Sequence, residues 1–271
     1  MFASFFGNKY EEAAELLEKA CNNYKLAKAW GKAAEGFELL ADCHLKSDSK
    51  HDAASACVEA ANAHKKVNPA EAVRCLLAAV GHYTDMGRLS IAAKHLKDVA
   101  EVREKEDDVE GALAAYVQAA DLYAGEENVS TANGCKLKVA ELSATAERYQ
   151  VAIDAFEEVA KASMGNNLLK FSVKGYLLNA GICRLCAQEP VGVKNALERY
   201  EDIDPTFAGG REAKLLAALA DAAEQGDQDG FASALAEYDG MSRLDPWKTT
   251  LLLRAKKKIA KAVEEEEDDL T

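Results

Sequence analysis

The stretch DAASACVEAANAHKKVNPAEAVRCLLAAVGHYTDMG, residues 52–87, carries one pattern twice. A small residue is followed four positions later by an apolar one, then by small or apolar residues at seven and eight. The copies are Ala53/Cys57/Ala60/Ala61 and Ala72/Leu76/Ala79/Val80. Offsets of four, seven and eight return to one face of a helix. Between the copies, Asn68-Pro69 pairs a capping residue with the residue favoured in the first helical turn. The stretch therefore predicts two antiparallel helices whose shared stripe is small enough for close approach.

The pattern extends in both directions. Upstream stand Ala13/Leu17/Ala20/Cys21 and Ala33/Phe37/Leu40/Ala41; downstream come Ala92/Leu96/Val99/Ala100, Ala112/Tyr116/Ala119/Ala120 and Ala152/Phe156/Val159/Ala160. Ala132/Lys136/Val139/Ala140 puts a lysine at the large position, and Ser172/Tyr176/Asn179/Ala180 is a weaker ninth copy. Successive first positions lie 20, 20, 19, 20, 20, 20, 20 and 20 residues apart. Turn or cap signals fall between copies at Ser47–Ser49, Met86-Gly87, Glu106–Asp108, Gly125–Asn128 and Gly165–Asn167. Two helices make a unit of about 40 residues, longer than a tetratricopeptide repeat but of the same helix-turn-helix kind. The predicted fold is all-α, a tetratricopeptide-like solenoid of stacked hairpins.

Beyond Ala187 the period fails. Pro190, Pro205 and Gly209-Gly210 interrupt the chain, and helical patterns resume at 211–224, 229–238 and 247–263. This part reads as a helical bundle that caps the solenoid, since an end repeat would otherwise expose its apolar face. The expected organisation is an N-terminal hydrophobic loop at 1–9, hairpins at 10–187, a bundle at 188–263 and an acidic tail at 264–271.

Composition excludes several classes of function. No run approaches the ~20 apolar residues of a membrane span, and the start MFASFFGNKY lacks the parts of a secretory signal. The seven cysteines, odd in number and mostly at apolar helical positions, read as reduced core thiols. A net charge of −13 argues against nucleic acid as the principal partner. There is no phosphate-binding glycine loop. The Cys183–Cys186 pair has zinc-like spacing but stands alone, and zinc wants four ligands. The five histidines (His44, His51, His64, His82 and His95) show no i, i+4 pair. No catalytic residue, cofactor or metal is expected.

Charge placement says more. Lys25, Lys28, Lys65, Lys66, Arg88, Lys94, Lys97, Lys136, Lys138, Lys170 and Lys174 recur at comparable helical phases. They read either as a basic stripe for an elongated acidic partner or as a scattered solvated surface. Residues 243–263 hold seven basic side chains and one acid, 7 − 1 = +6, followed by six acids from Glu264 to Asp269. Leu252, Ala255, Ile259 and Ala262 give this last helix an apolar stripe for docking. Negative charge beyond a helix C-terminus does not stabilise the helix, so the acids read as a disordered recruiting tail or as a solubilising one.

The segments SKHDAASACVEAANAHKK (49–66), YTDMGRLSIAAKHLKDVAEV (83–102), YVQAADLYAGEENVSTANGCKLKVAEL (116–142) and MSRLDPWKTTLLLRAKKKIAKAVEEEEDDLT (241–271) resemble the soluble NSF attachment proteins of the α-SNAP type. The resemblance runs in register from about Phe5 to Thr271, and NNLLKFSVKGYLLNAGIC with the ending EEEEDDLT looks most like plant members. It implies a non-catalytic adaptor in vesicle transport that binds the four-helix SNARE complex and recruits the hexameric N-ethylmaleimide-sensitive factor ATPase. The implied location is cytoplasmic, with peripheral attachment to membranes.

By the same resemblance, SNARE contacts fall to Lys28, Lys65, Lys66, Arg88, Lys94, Lys138, Lys170 and Lys174. ATPase contacts fall to Asp221, Glu224, Glu266, Glu267, Asp268, Asp269 and Leu270. Gly134 stands where animal members carry a lysine, with Lys136 nearby. Phe2, Phe5 and Phe6 match a membrane-touching loop that family members carry after a further helical segment. Read from the residues alone, these phenylalanines serve equally well to staple the first helix. The alternative to the adaptor is a generic tetratricopeptide-like scaffold for an unrelated peptide.

Overall fold

The computed structural model describes the backbone of residues 4–269 and the side chains of residues 9–260. These residues form thirteen α-helices and one 3₁₀ turn, with no strand among them. They divide into two compact units, Met1–Cys135 and Lys136–Thr271.

The first unit contains α1 (Ser4–Leu26), α2 (Trp30–Lys46), α3 (Lys50–His64), α4 (Pro69–Asp85), α5 (Leu89–Lys105), α6 (Val109–Gly125) and the start of α7 (Val129–Thr145). From α1 to α6 each helix packs on the next. The stripes read from the sequence are the buried faces: Ala33/Phe37/Leu40/Ala41, Ala53/Cys57/Ala60/Ala61, Ala92/Leu96/Val99/Ala100 and Ala112/Tyr116/Ala119/Ala120 are all buried. In α1 only Cys21 of its copy is buried, with Ala13, Leu17 and Ala20 half-covered. Small residues set the spacing, for a Cβ added at Gly36 would lie 2.5 Å from Cys21 Sγ.

Most joints between helices share one device. Lys28, Asp48, Gly87, Asp107 and Glu127 take left-handed φ values of 55, 61, 69, 58 and 57°. The N–H of the next residue then donates to the carbonyl five positions back, as in Ala29 to Tyr24 (2.9 Å), Ser49 to His44 (2.8 Å) and Arg88 to Tyr83 (2.8 Å). This Schellman closure satisfies orphan carbonyls, and that gain offsets the ~1 kcal/mol cost of a left-handed non-glycine residue. The α3–α4 joint differs: Asn68 accepts from the Glu71 N–H (3.3 Å), and Pro69 opens α4.

The second unit contains the rest of α7, α8 (Tyr149–Met164), a 3₁₀ turn (Lys170–Ser172), α9 (Val173–Cys186), α10 (Pro190–Ile203), α11 (Arg211–Glu224), α12 (Gln228–Met241) and α13 (Pro246–Asp269). Helix α9 is its axis and packs against α8, α10, α11 and α13. One core runs from Ala140 to Ala255 and includes Leu177, Ile182, Leu216, Phe231 and Leu252.

The ninth copy is displaced by one residue from its expected place. Ser172 is exposed and Asn179 half-buried, while Val173, Leu177, Ala180 and Gly181 form the buried stripe. The 3₁₀ turn before α9 advances the phase. At Gly181 an added Cβ would lie 2.4 Å from Leu216 Cδ1, so α9 and α11 meet there without room for a side chain.

The lysine of the seventh copy, Lys136, is half-buried and reaches Glu158 Oε1 at 2.5 Å, laying its stem along the stripe with its charge outside. Cys183 and Cys186 are buried free thiols, both pushed up by burial, and Cys186 donates to the Leu251 carbonyl at 3.1 Å. Buried Leu252 and Ala255 dock α13, with Ile259 packed beside them; Ala262 lies outside the described side chains. The helix continues past Val263 to Asp269, so the acidic run extends it.

Candidate functional site

Of the basic residues expected to face a partner, five belong to the first unit. Lys28 occupies the left-handed position between α1 and α2, and Lys65 caps the C-terminus of α3 with Lys66 beside it. Arg88 is the N-cap of α5, and Lys94 lies on the first half of that helix. Alternating helix direction puts Lys28, Lys65 and Lys66 on one edge of the hairpin row and Arg88 on the other. Lys65 and Lys94 both act on Asp98 through their fields. Burial would raise the pKa of Asp98, but the His95 hydrogen bond (3.0 Å) and the fields of Lys65 and Lys94 outweigh it and hold the carboxyl below its ordinary range. His95 in turn stacks on Tyr83, with ring centroids 5.6 Å apart.

In the second unit, Lys138 lies 3.8 Å from Glu141 on α7. Lys170 sits in the 3₁₀ turn, bonded to Asn167 Oδ1 at 3.1 Å and placed 5.6 Å from the centroid of the Phe171 ring. Lys174 opens α9. Around Lys170, Leu168 and Phe171 are 85% and 80% exposed. The sequence reading did not single out this apolar pair; two large apolar side chains outside the repeat phase were the available signal.

Gly134 is exposed, and an added Cβ there would meet nothing within 4 Å. Lys136, two residues on, pairs with Glu158 at 2.5 Å.

Asp221 and Glu224 lie together at the exposed end of α11. Lys194 of α10 bridges them, 2.7 Å from Asp221 Oδ1 and 2.5 Å from Glu224 Oε2. Those hydrogen bonds raise the pKa of Lys194 and keep it charged. The bridge was not legible in the sequence, since Lys194 comes 27 residues before Asp221. Two cations of α13 are likewise spent within the unit. Arg254 Nη1 donates to the Thr145 carbonyl at 2.9 Å, and Lys258 Nζ donates to the Cys186 carbonyl at 2.8 Å, each capping a helix C-terminus.

Glu266, Glu267, Asp268, Asp269 and Leu270 lie outside the described side chains, as do Phe2, Phe5 and Phe6. Among the described residues no helix is long and apolar enough to cross a membrane. One set of possible metal donors does come together, formed by Glu38, His64 and Cys75 of the first unit.

Residues 1–260 match the family described as soluble NSF attachment protein, SNAP. The α-soluble NSF attachment protein of Vitis vinifera is 48% identical over 266 residues, covering 98% of this chain and 92% of its own. That of Homo sapiens is 46% identical over 272 residues, with 99% and 90% covered. The vesicular-fusion protein SEC17 of Komagataella phaffii is 38% identical over 277 residues, with 100% and 93% covered. Because the match runs through both units and the relatives are of nearly equal length, the chain belongs to the soluble NSF attachment protein family.

Proposed function

We propose that this protein is an adaptor that binds assembled SNARE complexes and brings the N-ethylmaleimide-sensitive factor ATPase to them for disassembly in vesicle fusion and transport. The observation that carries the reading is the family match over residues 1–260, joined by relatives aligned across nearly their whole length. The chain itself does no chemistry in this role; its work is to position two other assemblies.

The contacts are those the family resemblance implies, and the charges suit them. Lys28, Lys65, Lys66, Arg88 and Lys94 in the first unit, and Lys138, Lys170 and Lys174 in the second, meet the acidic surface of the four-helix bundle. Exposed Leu168 and Phe171 add apolar area beside Lys170. Long-range attraction of this kind raises association rates and weakens with salt. Asp221 and Glu224, together with Glu266, Glu267, Asp268, Asp269 and Leu270, meet the ATPase. Phe2, Phe5 and Phe6 touch the membrane and attach the protein peripherally, on the cytoplasmic side where the family acts. Functionally the chain divides into this N-terminal segment at 1–9, whose residues from Ser4 begin α1, hairpins at 10–187, a bundle at 188–263 and a recruiting tail at 264–271.

The test is a disassembly assay with purified ATPase, ATP and SNARE complex. Addition of the protein is expected to start disassembly; no acceleration at saturating concentration refutes the adaptor. Leu270→Ala should leave SNARE binding intact and depress ATP hydrolysis, and equal loss of both activities refutes the assignment of Leu270. Replacing Phe5 and Phe6 by serine should matter only for membrane-anchored SNAREs.

A further inference from the structure

We infer that Glu38, His64 and Cys75 form a zinc(II) site that joins three consecutive helices of the first unit. One donor atom from each residue lies within 4.8 Å of the others. They come from α2, the end of α3 and the first half of α4. His64 and Cys75 are buried, at 8% and 2% exposure, while the Glu38 side chain is 33% exposed and opens the cluster to solvent. Glu38 Oε1 lies 2.7 Å from His64 Nε2 and 3.7 Å from Cys75 Sγ.

The donor set selects the ion. One thiolate, one imidazole and one carboxylate suit borderline-soft zinc, whereas magnesium and calcium require several oxygens and an iron–sulfur cluster requires more thiolates. Zinc bonds of about 2.0–2.3 Å set tetrahedral donors about 3.3–3.8 Å apart. The Glu38–Cys75 separation is already in that range, and the Glu38–His64 pair needs only to open by less than an ångström. Three protein ligands leave the fourth position to water, on the side where Glu38 is exposed.

The surroundings favour this use of the cluster. Arg74 Nη2 holds the other carboxylate oxygen, Oε2, at 2.5 Å, which fixes the Glu38 plane and leaves Oε1 directed at the two buried donors. His64 Nδ1 has no hydrogen-bond partner among the described residues, so Glu38 alone holds the ring and the outer-shell partner that usually orients a ligating histidine is missing on that side. On binding, the Cys75 thiol proton leaves to solvent, the His64 ring proton passes from Nε2 to Nδ1, and the Glu38–His64 hydrogen bond is exchanged for one metal bond from each residue. The two anionic ligands then balance the ion.

The experiment uses the full chain, stripped with chelator under reducing conditions and titrated first with cobalt(II), then with zinc(II). The expected result is one equivalent of cobalt with a thiolate-to-metal absorption band that zinc bleaches. Cys75→Ser and His64→Gln should abolish the band, Glu38→Gln should weaken binding at least about tenfold, and Cys57→Ser and Cys183→Ser should keep it. Zinc should also raise the thermal midpoint of the parent protein, and raise that of Glu38→Gln by less at the same zinc concentration. No band in the parent, a band surviving Cys75→Ser, or a band lost in Cys57→Ser overturns the site. If burial of Cys75 or His64 makes those variants misfold, Glu38→Gln decides alone: a folded variant with parental cobalt affinity overturns the proposal.

Discussion

Lys194 Nζ lies 2.5 Å from the Glu224 carboxylate and at the same time 2.7 Å from Asp221, so one lysine of α10 holds two acids of α11. Both acids are assigned to the ATPase contact, and in the free protein part of their charge is answered from within. Lys194→Ala is expected to raise the association rate with the ATPase about two- to threefold at low salt. The gain should vanish as salt screens the exposed charges. Stopped-flow association across a salt series reads both effects.

Asp98 lies in the field of two lysines assigned to the SNARE surface. Its pKa in the folded protein lies below the ordinary 3.8, so its stabilisation is present above that value and is lost as pH falls through the lower folded value. Asp98→Asn should therefore flatten the acid limb of the stability curve. The same change removes a negative charge facing Lys65 and Lys94, and it should tighten SNARE binding about two- to fivefold at low salt. Denaturant unfolding across acid pH and a binding titration check the two arms.

At Gly134 a side chain would enter open space. Gly134→Lys should stabilise α7 by about 1 kcal/mol, because glycine is a poor helix former. It should also steepen the salt dependence of SNARE binding. An unchanged salt slope would remove this position from the contact surface.

Buried charge makes the second unit sensitive to one carboxylate. Glu157 Oε1 accepts from Arg184 Nη2 and from the Tyr200 hydroxyl, each at 2.9 Å, and the ion-paired side chains are only 12% and 15% exposed. Glu157→Ala leaves a guanidinium and a phenol without their partner in a dry core, and it should cost about 3 kcal/mol. Chemical denaturation measures it, and a loss below 1 kcal/mol would mean that Glu189, 3.5 Å from Arg184, takes over.

The hairpins were legible because a helix writes its buried face at short range. Ala53, Cys57, Ala60 and Ala61 are neighbours within one segment, and all four are buried. The joints were legible as turn signals but not in their form; that Asp48, Asp107 and Glu127 take left-handed backbone is dictated by Schellman closure. The ninth stripe was misplaced by one residue because the 3₁₀ turn at Lys170–Ser172 shifts the phase without changing composition. The candidate basic surface was legible as residues and, once the hairpins alternate, as edges; which of its charges are answered from within, as Lys136 is by Glu158, was not.

By itself, then, the sequence determined the all-helical hairpin architecture, the close-packed small-residue stripes and the family. These depend on periodicity within single helices, where i, i+4 geometry is fixed by the backbone. Only the tertiary structure decided which charges are spent internally and which donors meet. Lys136 with Glu158, Lys194 with Asp221 and Glu224, Arg254 and Lys258 on helix ends, and Glu38 with His64 and Cys75 join residues on different helices. Such pairings follow from the rotation and level of one helix against its neighbour, and packing sets those quantities, which no local pattern records.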